Sequence, residues 1–175
     1  MTLTEQQKQV LEKVKAFLSS DCPVFILKGY AGTGKTTIIK NICSMIESGK
    51  EFWLTAPTGR AARVLQSKVG IAASTIHKLI YSDCRITFQV KQGVCEYWFQ
   101  LKECSSRGVV IVDEASMVTS HHVDHELFHF GTDNLMNDLL TFARLSFGGK
   151  IIFVGDPAQL PPVGESVSNA LRAEY

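Results

Sequence analysis

Apolar residues along this chain follow two rhythms. From Thr4 to Leu18 they recur at helical spacing: Val10, Leu11, Val14, Phe17 and Leu18 form one stripe, which predicts a helix over residues 4–18. Asp21-Cys22-Pro23 breaks that helix. Short continuous apolar runs then alternate with further periodic segments. The runs Val24–Leu27, Phe52–Thr55, Gly108–Val112 and Ile151–Val154 have the length and bounding turns of buried strands. Between them, Ile38, Ile39, Ile42 and Ile46 predict a helix over 35–48. Ala61, Ala62, Val64 and Leu65 mark a second, and Leu135, Leu139, Leu140, Phe142 and Ala143 a third over about 134–146. Strand, helix, strand with short crossovers requires a parallel sheet. The fold class is therefore α/β: a mostly parallel central sheet flanked by helices, with functional loops at the carboxyl ends of the strands.

One stretch departs from this rhythm. Arg85–Val90 and Val94–Phe99 are β-rich runs around Lys91-Gln92-Gly93, which predicts a hairpin inserted over residues 82–104. Its aromatic residues either pack on the core or stack on bases of a substrate strand. His121 to His129 holds four of the five histidines, and His121/His125 and His125/His129 have the i, i+4 spacing of helical metal ligands. With no cysteine or further ligand close by, the segment reads as a solvated surface stretch.

Composition narrows the field. A chain of 175 residues fits one domain with a sizeable core. With 18 basic and 17 acidic residues there is no global basic excess, so nucleic-acid binding must come from a local surface. Five cysteines without a C-x-x-C pair suggest reduced thiols and a cytoplasmic protein. No apolar run approaches the roughly 20 residues of a membrane span, and the polar N-terminus carries no signal-peptide pattern. A monomer is expected.

The chemistry gathers at strand ends. Gly29-Tyr30-Ala31-Gly32-Thr33-Gly34-Lys35-Thr36 fits G-x-x-x-x-G-K-[ST] between a strand and a helix, the context of a phosphate-binding P-loop. Its glycines let backbone N–H groups turn inward on an anion, at the positive end of the following helix. Gly29, Gly32, Thr33, Gly34, Lys35, Thr36 and Thr37 are thus candidates for holding ATP, with Lys35 on the β- and γ-phosphates and Thr36 on Mg²⁺. Adjacent carboxylates Asp113 and Glu114 at a buried strand end are costly unless paired or metal-bound. With a P-loop upstream, Asp113 suits the Mg²⁺ shell and Glu114 suits activation of the attacking water. Gln159, on a proline-rich loop after another strand, is placed to contact the γ-phosphate or that water. Gln7 stands three residues after Thr4, so its amide either completes a capping box or reads the adenine edge.

Taken in order, Thr4–Gln7, the P-loop, Ala56–Ala62, Ser74–His77, Asp113–Met117 and Gly155–Pro162 resemble the successive motifs of superfamily 1 helicases. Asp-Glu-Ala-Ser-Met at 113–117 resembles the RecD-like, Dda-like branch (superfamily 1B). The resemblance covers nearly the whole chain. It implies a RecA-like P-loop NTPase fold, an adenine-reading Gln7 and a γ-phosphate-sensing Gln159. It also implies single-stranded DNA contacts from Pro57, Thr58, Arg60, Thr75 and His77, a strand-separating hairpin, and 5′ to 3′ movement. Helicases of this kind close their ATP cleft with arginines from a second RecA-like domain, and no such domain follows Gln159 here. The chain is therefore expected to be one motor domain of a longer protein, binding nucleotide and hydrolysing it poorly alone. A nucleotide-dependent binding module without motor activity is the alternative. A small-molecule kinase fits Asp113, Glu114 and Gln159 less well, since they suit water activation.

Overall fold

The computed structural model describes residues 3–46, 51–82, 85–91, 94–103, 108–123, 126–145 and 148–172. Thr4 starts helix α1 (Glu5–Ser19) with a complete capping box: its hydroxyl accepts from Gln7 N–H, and the Gln7 amide oxygen accepts from Thr4 N–H. Strand β1 (Val24–Lys28), helix α2 (Lys35–Ile46), strand β2 (Glu51–Ala56) and helix α3 (Gly59–Val69) follow as the apolar pattern predicts. Thr58 caps α3, and Gly70 closes it in the left-handed region. Strand β3 (Ala73–Thr75) and the single turn α4 (Ile76–Ile80) come next, in a stretch too short for periodicity to reveal. The hairpin is β4 (Arg85–Lys91) and β5 (Val94–Phe99); its turn at Gln92-Gly93 lies outside the described residues. Strand β6 (Gly108–Val112), strand β7 (Phe128–Phe130), helix α5 (Leu135–Leu145) and strand β8 (Lys150–Gly155) complete the order.

The main sheet runs β1-β8-β6-β2-β3, and every neighbouring pair is parallel. Strand alternation sends its apolar residues to two faces. Val109, Ile111, Ile152 and Val154 meet α1, α2 and α3 through Val14, Ile39, Ile42 and Leu65. Val110, Val112, Ile151 and Phe153 meet α4 and α5 through Ile76, Ile80, Leu139 and Phe142. The result is helix, sheet, helix, with β6 and β8 buried along their whole length. Two expectations shift here. Val64 is 45% exposed on α3, and on α5 Met136 is buried while Leu135 and Leu140 are only partly so.

The hairpin gains a strand that the sequence did not suggest. β7 pairs in parallel with β5, forming a separate sheet of order β4-β5-β7. Residues directly opposite carry rings: Tyr97 stacks on Phe128, Trp98 on His129 and Phe99 on Phe130 at centroid distances of 5.2, 4.1 and 4.5 Å. Part of the histidine-rich stretch is therefore ordered by ring stacking and is not solvated surface. His129 is half-buried, with Nδ1 3.4 Å from Asp133; His121 is 3.1 Å from Glu165, and His125 lies outside the described residues. Among the described residues no group of three His, Cys, Asp or Glu side chains gathers to hold a metal. No described helix is long and apolar enough to cross a membrane.

A buried polar tie fixes this sheet to the main body. Asp138, on α5 and 1% exposed, accepts from the Tyr81 hydroxyl at 2.7 Å and from Thr132 through its N–H and hydroxyl at 3.0 and 2.8 Å. Burial, then the hydrogen bond and charge of Asp138, hold the Tyr81 phenol above its ordinary pKa. Tyr81→Phe is expected to leave the fold intact but lower its stability by about 1–3 kcal/mol, since a buried carboxylate loses a donor. Urea denaturation measures this, and an unchanged midpoint would show that the tie contributes nothing.

Candidate nucleotide and nucleic-acid site

Because the main sheet is all parallel, the loops that leave its strands share one edge. Read along the strand order, these are the P-loop after β1, Asp156 to Gln159 after β8, Asp113-Glu114 after β6, Pro57 to Arg60 after β2, and Ile76-His77 after β3.

The P-loop is bonded to its neighbours at both ends. Gly29 N–H donates to the Gly155 carbonyl at 3.0 Å, which locks the loop's start to the end of β8. Gly32 and Gly34 have φ of +79° and +85°, which glycine adopts without strain. A Cβ on Gly34 would also lie 2.5 Å from the Gln7 amide nitrogen. That nitrogen donates to the Thr33 carbonyl at 3.3 Å, so Gln7 caps α1 and reaches the P-loop at once. Lys35 Nζ donates to the Gly29 and Tyr30 carbonyls at 2.6 and 3.2 Å and faces the Asp156 carboxylate at 3.7 Å. Beside the loop lies a cavity of about 410 Å³ lined by Gln7, Gly29, Tyr30, Thr33, Lys35 and Pro157, among others. Thr36 and Thr37 line a neighbouring cavity with Lys40 and Lys68.

Asp113 and Glu114 end β6 beside these residues. Asp113 N–H donates to the Thr55 carbonyl at 2.9 Å. Burial pushes the Asp113 carboxyl up from 3.8 to about 6; a hydrogen bond from the Glu114 backbone opposes the rise, the Glu114 charge adds to it, and Lys35 and Lys68 oppose it. Glu114 takes the left-handed conformation, φ 52° and ψ 39°, uncommon for a non-glycine residue. Its Oε2 is buried without a hydrogen-bond partner among the described residues. Asp113 and Glu114 carry carboxylate oxygens, the donor type that suits a hard dication. Gln159 accepts from the Ser116 hydroxyl at 2.6 Å.

Of the candidate DNA residues, Pro57, Thr58 and His77 line a cavity of about 310 Å³ together with Tyr81 and Phe130. Thr58 and Arg60 line a larger one of about 820 Å³, shared with Glu114, Met117 and Gln159. Thr58 and Thr75 both act as helix caps, accepting from Ala61 and Lys78 N–H at 3.2 Å. Thr75 lines neither cavity. Sequence reasoning passed over Asp156 and Ser116. Both are buried, at 4% and 1% exposed, and both stand directly beside residues that were singled out. A polar residue just past an unbroken apolar strand is the signal that marks Asp156, as it marked Asp113.

A protein-family model described as an AAA domain matches residues 2–173. The chain belongs to that family. It is 34% identical over 162 residues to the ATP-dependent RecD2 DNA helicase of Deinococcus radiodurans, covering 92% of this chain and 18% of that protein. It is 30% identical over 175 residues to the ATP-dependent DNA helicase dda of Enterobacteria phage T4, covering 99% of this chain and 36% of that one. The chain thus spans well under half the length of the helicases it matches. Among solved structures it resembles the Bacteroides Pif1 helicase in complex with ADP-AlF3 and ssDNA, with a TM-score of 0.54, 25% identity, and coverage of 97% of this chain and 35% of that one. Within the AAA domain family, these likenesses are to the N-terminal motor domain of RecD-like helicases.

The Asp113 shift has a measurable consequence. Folding raises this pKa, so the folded chain binds the proton more tightly, and the stabilisation is whole below pH 3.8 and lost as pH rises through about 6. In chelator-treated buffer Asp113→Asn is expected to stabilise the chain at pH 7 by up to about 3 kcal/mol, with the gain vanishing toward pH 4. Urea unfolding of both proteins across that range checks the sign; a destabilised Asn variant at pH 7 contradicts it.

Proposed function

We propose that this chain is the ATP-binding and ATP-hydrolysing motor domain of a 5′-to-3′ DNA helicase that translocates on single-stranded DNA, with little activity alone. The observation that carries this reading is the shared cavity: Glu114 and Gln159 border the same space as Thr58 and Arg60. Groups suited to hydrolysis and groups suited to a nucleic-acid backbone therefore border one space.

In this reading Gly29, Gly32, Thr33, Gly34, Lys35, Thr36 and Thr37 hold the phosphates, and Gln7 meets the adenine edge next to the loop it braces. Lys35 exchanges its carbonyl partners for phosphate oxygens. Mg²⁺ would be held by Thr36 and Asp113, and when bound it neutralises charge on the β- and γ-oxygens. The raised pKa of Asp113 and the unpartnered Glu114 oxygen both favour a site built around a cation. Glu114 orients and deprotonates the attacking water, and Gln159 senses the γ-phosphate. Pro57, Thr58, Arg60, Thr75 and His77 follow the DNA strand. The 82–104 hairpin supports strand separation, and the 5′ to 3′ sense rests on the RecD-like likeness.

These parts make one wall of a cleft. In P-loop enzymes an arginine supplied to the γ-phosphate is worth about 10³–10⁵ in rate. A second RecA-like domain is the proposed source of that arginine and of the movement that unwinding needs, so this chain alone binds nucleotide and turns it over slowly.

Two outcomes test the reading. Glu114→Gln is expected to retain Mg-nucleotide binding by calorimetry while single-turnover hydrolysis falls by at least about 100-fold. Undiminished hydrolysis would remove Glu114 from its role. Single-stranded oligonucleotide binding, read by fluorescence anisotropy, is expected to be weak, to fall further in Arg60→Ala, and to fade with added salt. Binding of Mg-ATP with no affinity for single strands at low salt would favour a nucleotide-dependent module without motor activity.

A further inference from the structure

Gln159 has a requirement that its own loop does not meet. It lies on an exposed stretch after β8, where a glutamine side chain ordinarily samples several rotamers. Holding it in one costs up to about 2 kcal/mol of side-chain entropy. Among the described residues its amide has one hydrogen bond, from Ser116, whose hydroxyl donates to Oε1 at 2.6 Å and whose residue is 1% exposed. An amide has two unlike ends. With Oε1 fixed on Ser116, the Nε2 hydrogens remain as donors for an oxygen arriving beside Glu114.

Ser116 is itself held in fixed register to Glu114. Both belong to the tight turn that closes β6, with Met117 N–H donating to the Glu114 carbonyl and Val118 N–H to the Ala115 carbonyl, each at 3.1 Å. The end of β8 makes room for it: a Cβ on Gly155 would lie 3.2 Å from Ser116 N and 2.9 Å from the Leu171 methyls. The next residue, Met117, is 45% exposed and lines both cavities of the proposed DNA groove.

We propose that Ser116 is the positioning residue of the hydrolytic site, orienting the Gln159 amide through one part-buried hydrogen bond. Because Met117 occupies the same turn, a strand lying in the groove acts on Gln159 through Ser116. The proposal rests on the motor-domain reading, and its test separates the two.

The side-chain amide of Gln159, assigned in an ¹⁵N-labelled sample of the whole chain, reports the restraint without nucleotide. Ser116→Ala is expected to move this amide pair to the positions of a freely rotating glutamine and to leave Mg-ADP affinity within about twofold. Single-turnover hydrolysis is expected to fall about 10- to 100-fold, as for a misplaced reacting group, with KM unchanged and any acceleration by oligo-dT lost. The double variant Ser116→Ala/Gln159→Ala should be no slower than Gln159→Ala alone. Gln159→Glu, a change on an exposed loop, keeps an acceptor for Ser116 but loses the donor, and should slow hydrolysis to the same degree. An unmoved Gln159 amide in Ser116→Ala overturns the proposal, as does additivity in the double variant or wild-type hydrolysis by Gln159→Glu. If no Mg-nucleotide binds to the wild-type chain, the motor-domain reading fails, while the amide spectrum still decides whether Ser116 restrains Gln159.

Discussion

The site depends on how closely three segments approach at the carboxyl end of β8. Gly155 carries this constraint. Its carbonyl holds the first N–H of the P-loop, and its lack of a side chain admits both Leu171 and the turn after β6. A methyl group there would press on the Leu171 methyls and on the backbone of the turn after β6, 2.9 and 3.2 Å from where its carbon would stand. Close packing transmits such a displacement rather than absorbing it. The phosphate loop, the carboxylates and Gln159 are thus set in mutual register by backbone contact, with side chains adding the chemistry.

That register explains the electrostatics. β6 and β8 are buried on both faces, so residues just past their ends leave the apolar interior abruptly. Asp113 and Asp156 stand at these two exits, on either side of Lys35 in the electrostatics: one resists ionisation through burial, and the other lies within ion-pair distance of the ammonium. Glu114, next to Asp113, is turned into a conformation that non-glycine residues avoid and carries a buried oxygen with no donor among the described residues. Such strain persists only where surrounding structure fixes it, and here the turn and the packed strand ends do so.

Much of this was legible beforehand. Four of the five strands of the main sheet announce themselves as short apolar runs, most plainly β6 and β8, which are buried on both faces and have no polar side to alternate with. The P-loop and the carboxylates follow from chemistry that has few alternative explanations at strand ends. The elements that escaped are those whose partner is distant in sequence. β3 and β7 span three residues each, too few for a period, and exist because β2 and β5 supply their hydrogen bonds. At Gln7 the sequence leaves capping and ligand contact both open. In the fold one amide both caps α1 and touches the P-loop, because its two ends serve different partners. Ser116 was invisible as a site residue because its significance lies wholly in a contact 43 positions away.

The small sheet carries one more implication. Its strands β4 and β5 precede β6 in the chain, while β7 follows it, so the strand that ends in Asp113 is threaded between two parts of one accessory structure. An insertion confined to one loop can be gained or lost as a cassette. This one cannot, because removing residues 82–104 would strip β7 of its hydrogen-bonding partner and leave the rings of Phe128 and Phe130 without their stacking faces. The hairpin and the β7 segment are therefore one structural unit, and deleting one without the other leaves an unpaired strand edge.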